Sequence, residues 1–361
     1  MAYTNERIQN NKAFLTKAWN LQNDRPGIKV LLWNPKPSSY TWLEMFHSPE
    51  KNLKYKLQVL EEMSAFMDDS VPILDTFLGT AVFPSAFACE VHYYENEDPW
   101  AKPLIHGAVE DVYKLPDPAV DAGDLKRVLD TTVYFQEKTR GKYPIKITDP
   151  QSPLDIAYLI WKEEEFMMAM MSNPAEVHKI MEKCTGLFIR FMKKQKSLCT
   201  EFSPVHSPNL WAPSELGIGM SDDVCAILSP ELYEEFALPY MNMISEEFGG
   251  IFLHSCGNIA HNLDNLARVK NLRCINFAVT ETPAEAVFEK FSGKTVICPG
   301  TGLNNGALAV DSIIEYVERV LKCKKTNEGL ILYAYTDTPV PYKIPTTPQM
   351  IDQAIQMVHD A

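Results

Sequence analysis

Apolar and polar positions alternate along this chain in a pattern that opens as a helix and settles into a repeated strand-then-helix rhythm. Over residues 5–21, Ile8, Phe14, Leu15, Ala18 and Leu21 recur at helical spacing and predict a helix that caps the domain. Residues 30–33 are a short apolar run stopped by Asn34-Pro35, predicting a strand, and helical periodicity returns over 49–67. Strands are predicted at 72–75 and 143–149, each closing on a carboxylate, Asp75 and Asp149. A long amphipathic helix is predicted at 175–199, whereas 201–217 holds no clear long element. Ser229-Pro230 then opens a helix, with serine at the cap and proline at the first helical position. Strands at 251–253, 272–277, 295–298 and 329–333 alternate with helices near 260–268, 283–291, 309–323 and from 347 onward. Units repeating every ~20–35 residues in this way argue a parallel sheet, and this many of them a closed barrel. The predicted fold is therefore α/β, a single (β/α)8 TIM barrel. Residues 1–70 form an N-terminal helical extension and first strand of the same domain, and residues 71–361 the barrel itself.

In such a barrel the chemistry sits where strands end. Ile251-Phe252-Leu253 is opened by two glycines and closed by Gly257-Asn258, so His254 and Cys256 fall at its end. Residues two apart on a strand face the same side, which makes the imidazole and the thiol a pair of zinc-type ligands needing at least one more. The plainer reading is a core thiol beside a hydrogen-bonded histidine. Asp75, Asp149, Asn276 and Cys298 also lie at or near predicted strand ends. The Met-rich run at 166–171 reads as core filler, and Gly217-Ile218-Gly219 is too little for a dinucleotide fingerprint.

Composition narrows the partners. The 361 residues include 47 acidic and 34 basic ones, a formal charge of −13, with no stripe of lysine or arginine. Nucleic acid and anionic membrane surfaces are poor partners for such a chain. Eight scattered cysteines read as reduced thiols, and there is no signal-type N-terminus and no apolar run of membrane-spanning length, so a cytoplasmic location is expected.

Five segments, in order, carry a resemblance. Phe87-Ala88-Cys89-Glu90-Val91, Pro153-Leu154-Asp155, Ser221-Asp222-Asp223 with Leu228-Ser229-Pro230-Glu231-Leu232-Tyr233, Leu238-Pro239-Tyr240 and His254-Ser255-Cys256-Gly257-Asn258 resemble the uroporphyrinogen decarboxylase superfamily over roughly residues 70–355. That superfamily holds both the decarboxylases of haem synthesis and zinc-dependent methyltransferases acting on methylated corrinoid proteins. The resemblance implies a barrel with its site at the strand C-termini. The decarboxylases carry an Arg-rich segment that helps hold a substrate with eight carboxylates, but residues 28–39 here contain no arginine, which argues against that substrate.

The methyltransferase branch implies Zn2+ on His254 and Cys256, activating a thiol that receives a methyl group from a corrinoid protein or a methylated small molecule. Its late third cysteine aligns near Tyr335, and no cysteine follows Cys323. Cys298 is taken as the substitute metal ligand, with a carboxylate such as Glu90 or Asp337 as the other option. Asp75, Asp149, Asp222 and His254 are the expected catalytic residues, and Glu90, Tyr158, Asn276 and Tyr335 the expected substrate contacts. Homodimerisation is a family expectation. The alternatives are a metal-free decarboxylase acting on a tetrapyrrole or other carboxylate, with Asp75 as its electrostatic centre, and a corrinoid- or tetrapyrrole-binding module.

Overall fold

A wall of parallel strands closes on itself in the computed structural model, which describes residues 3–361. The strands are β1 (Gly27–Leu31), β2 (Leu74–Asp75), β3 (Ile145–Lys146), β4 (Phe202–Ser203), β5 (Ile218–Ser221), β6 (Ile251–Ser255), β7 (Leu272–Ala278), β8 (Val296–Gly300) and β9 (Ile331–Tyr335). All the pairings among them are parallel. β8, β7, β6 and β5 lie side by side, β2, β3 and β4 form a second run, and β1 pairs with β9. Backbone bonds join these groups: Asp69 N–H to the Ile28 carbonyl, Gly219 N–H to Pro204, and Ile297 N–H to Gly329. β4 enters the wall only near its base, because higher up Gln151 bridges directly to Ser221.

The two-residue period of each strand divides the core. On β6, Ile251 and Leu253 face the helices with Ile275 and Leu332, while Phe252 faces inward with Cys274, Cys298 and Ile331. Helix α1 (Asn5–Trp19) precedes β1 and sends Leu15, Ala18 and Trp19 into that inner cluster, so it plugs the base of the barrel. Trp19 packs edge-on against Phe252 at 5.2 Å and donates its indole N–H to the Trp211 carbonyl.

Several elements differ from their predicted limits. The stretch 153–172 forms two helices, Pro153–Ile160 and Glu163–Ser172, split where Trp161 turns extended and bridges to Ile105. β5 has no counterpart among the predicted strands, because Gly219 within it weakens the β signal of so short a run. The helix predicted near 260–268 shrinks to Leu263–Leu266. No helix of the described residues is long and apolar enough to cross a membrane.

Candidate metal centre and its pocket

His254 stands inward at the top of β6, and Cys256 follows in the turn beyond it, with His254 Nε2 3.2 Å from Cys256 Sγ. The third member comes from the end of β5. Asp223, His254 and Cys256 offer an oxygen, a nitrogen and a sulfur that all lie within 4.8 Å of one another. Asp223 Oδ1 also accepts the Cys256 backbone N–H at 2.6 Å, tying the two turns together. Asp155 clasps the Asp223 loop in turn, accepting the N–H groups of Asp223 and Val224 at 2.8 and 2.9 Å.

The imidazole is oriented by a chain of bonds. Asn276 donates its amide N–H to the Cys298 carbonyl at 2.5 Å, which fixes its Oδ1 toward His254 Nδ1, also at 2.5 Å. His254 must therefore carry its proton on Nδ1 and present Nε2 as the ligand atom, the arrangement seen where an outer partner fixes a metal-binding histidine. Ser207 donates to the same Asn276 oxygen at 3.1 Å. Burial alone depresses the charged imidazole, but the bond to Cys256 with its charge, then Asp223 and Asn276, hold His254 up to about 10. An ion entering the site would displace the Nε2 proton. The donor set fits zinc: one carboxylate, one neutral imidazole and one thiolate are all accepted ligands, and three protein ligands leave a position open for a substrate.

Below this group lies a second polar layer. His206 Nε2 is 3.1 Å from Asp149 Oδ1, and the two imidazoles, His206 and His254, stand 6.5 Å apart. Burial, then Lys146, keeps His206 well below its usual range, while burial pushes Asp149 up to about 6. The two are within ion-pair distance, but burial disfavours the charged imidazole of His206, whose buried Nδ1 has no partner. Burial opposes ionisation of Asp75, but Lys146 at 3.4 Å and Lys56 at 3.5 Å outweigh it and hold the carboxyl well below the usual range. Lys29, fully buried on β1, is pushed down to about 8 by desolvation and donates to the Asn209 carbonyl.

A cavity of about 370 Å³ opens over the centre, lined by His254, Cys256, Asn276 and Ser207 on one side and by Trp33, Tyr333, Tyr335 and Glu281 on the other. A hollow of about 430 Å³ lies at the other end of the barrel, around Thr200 and Glu201, away from the strand C-termini.

The structure brings together His254, Cys256, Asn276 and Tyr335 of the residues expected from sequence. Cys298 corrects the expected ligand set. It does face inward, but its thiol packs against Cys274 one layer down, and the Asn276 side chain reaches across to the Cys298 carbonyl. Asp222 is buried and accepts from Ser152 at 2.8 Å and Tyr233 at 2.6 Å, and the carboxylate within reach of His254 and Cys256 is that of its neighbour Asp223. Glu90 is exposed beside Lys102 and His92, away from the pocket. Tyr158 lines a separate hollow of about 280 Å³ with Asp155 and the outer side of Asp223, and Asp75 belongs to the lysine layer. Sequence reasoning missed Asp223, His206, Ser207, Trp33 and Tyr333. The strand-end run Ser221-Asp222-Asp223 was the available signal for the first of these.

Residues 36–198 and 217–331, more than half of the chain, match the family model described as uroporphyrinogen decarboxylase (URO-D). The uroporphyrinogen decarboxylases of Xylella fastidiosa (strain Temecula1 / ATCC 700964) and Xanthomonas campestris pv. campestris (strain B100) are each 25% identical, over 214 and 213 residues. Those stretches make up 57% of this chain and 53% of theirs, so the chain spans about half the length of these curated relatives. A solved methyltransferase from Methanosarcina mazei has the same fold, with a TM-score of 0.68 over 97% of this chain and 98% of that one, at 16% identity. The stretch between the two matched segments contains β4 and carries His206, Ser207 and Asn209 to the barrel interior.

Proposed function

This chain belongs to the uroporphyrinogen decarboxylase family, and on that premise we propose that it is a methyltransferase-like enzyme. It would move a methyl group between a corrinoid protein or methylated small molecule and a thiol or similar acceptor held at a zinc ion. The observation that carries this reading is the convergence of Asp223, His254 and Cys256, the last two of which line the pocket. Zinc bound by these three supplies Lewis acidity that keeps an acceptor thiol ionised at neutral pH. Asn276 and Ser207 orient the imidazole, and Asp155 holds the Asp223 loop. The Asp149–His206 pair can hold or release a proton beside the site. Tyr335 and Trp33 shape the opening and exclude water. The fold shared with the Methanosarcina mazei methyltransferase supports the reading without fixing the donor.

A metal-free carboxy-lyase is the second reading, favoured by the cationic layer of Lys29, Lys56 and Lys146 around Asp75. A substrate with eight carboxylates fits neither reading. The 370 Å³ pocket has no lysine or arginine in its lining, and many unpaired anions there would be costly.

The test is methyl transfer from methylcobalamin to an added thiol, followed by the change in cobalamin absorbance with and without zinc. Zinc-dependent demethylation that disappears in Cys256→Ala supports the reading. A rate indifferent to both zinc and Cys256 contradicts it.

A further inference from the structure

The pocket above the candidate metal centre has an aromatic wall and an acidic corner. Tyr333 and Tyr335 face inward from β9, and Trp33 follows the end of β1, the strand paired with β9 so that Leu31 lies opposite Tyr335. The Trp33 and Tyr335 rings are 5.4 Å apart with their planes at 84°, and those of Tyr335 and Tyr333 are 5.1 Å apart at 75°. Successive rings at near right angles make a box of aromatic surfaces, and Trp33 remains 38% exposed at its rim. Glu281 lines the same pocket, held by the Leu303 N–H, which its carboxylate accepts at 2.9 Å. No lysine or arginine is among the lining residues.

These features select a ligand chemistry. Ring faces carry negative potential, and a carboxylate adds a full negative charge. A divalent ion on Asp223, Cys256 and a neutral His254 would leave that group with no net charge, so Glu281 would set the sign of the pocket. An anion away from the metal would meet Glu281 with no cation to balance it. A small hard cation needs several oxygen ligands, whereas the rings supply only faces and weakly ionised hydroxyls. A large, weakly hydrated cation, its charge spread over methyl groups, satisfies both the rings and the carboxylate.

We propose that this pocket takes a methylated ammonium cation, its N-methyl groups against Trp33, Tyr333 and Tyr335 and its charge balanced by Glu281. The inference rests on the functional reading above for the metal that balances Asp223 and Cys256 and for placing the ligand's methyl groups beside His254 and Cys256.

The experiment is calorimetric titration of the full-length, zinc-supplied protein with choline and, separately, with 3,3-dimethylbutan-1-ol, its uncharged isostere. Choline is expected to bind about tenfold or more tighter than the isostere, and Trp33→Leu and Glu281→Gln each to weaken choline severalfold while Trp33→Phe restores most of the loss. Thermal unfolding of each variant confirms that it is folded. Equal affinity for the two ligands, or choline binding unchanged in folded Trp33→Leu, overturns the inference. So does a protein that shows no choline binding while transferring methyl groups from methylcobalamin, a result that leaves the methyl-transfer reading intact. Choline binding without methyl transfer has the opposite meaning: it keeps the ammonium site and removes the methyltransferase.

Discussion

A carboxamide commits the imidazole of His254 to one tautomer, and a backbone carbonyl commits the carboxamide. Asn276→Leu keeps the bulk but frees the ring, and is expected to weaken zinc binding about 10–100-fold with little change in stability, measured by competition with a chelating dye. Asp149 gives the site a pH signature. Its carboxyl, ordinarily near 3.8, is pushed up to about 6 by burial, so the protonated form contributes stability at low pH. That contribution is lost as pH rises from about 4 through about 6, the window between the two values. Asp149→Asn should therefore gain on the wild type by up to about 3 kcal/mol across that window, of which urea midpoints at pH 4.5 and 7.5 read about 2 kcal/mol. At this scale the sequence revealed His254 and Cys256, because a two-residue period needs only the strand. It did not reveal which of Asp222 and Asp223 faces the site. Adjacent carboxylates at a strand end swap roles with the local twist, and the choice was made by Tyr233 and by Ser152, the latter 70 residues away in sequence. Cys298 shows the limit of the same argument: its inward direction was legible, but the side chain of Asn276 in the space between was not.

At the scale of elements, the stretch around β4 helps to shape the inner wall. It lies between the two matched segments, and it brings Asn209 to Lys29, His206 to Asp149 and Ser207 to Asn276. Its approach to β5 depends on Gly219, where a Cβ would come within 2.6 Å of the His206 nitrogen and 2.7 Å of the Pro204 oxygen. Both obstacles are backbone and cannot swing aside, so Gly219→Ala is expected to cost about 1–3 kcal/mol and to loosen zinc binding through Ser207, measured by denaturation and metal titration together. The strand-then-helix repeat of the second half was legible because each unit carries its own apolar period. β4 and β5 were not, since a two-residue strand leaves almost no period and a central glycine weakens the signal of the other.

For the whole molecule, closure of the wall leaves an interior that must be filled at one end and accessible at the other. Helix α1 fills the base, and the sequence had it capping the domain, although it could not say where. Trp19→Ala removes the largest side chain of that plug and its bond to Trp211, and should cost about 3–5 kcal/mol without removing zinc from the folded fraction. The open end holds the site, and the central claim is that Asp223, His254 and Cys256 hold a metal there. Elemental analysis of the purified protein after zinc is supplied tests it most directly, alongside His254→Ala, Cys256→Ala and Cys298→Ser. The account predicts about one zinc per chain in the wild type and in Cys298→Ser, and its loss in the other two. A wild-type protein without zinc, or zinc retained after both His254→Ala and Cys256→Ala, would contradict it.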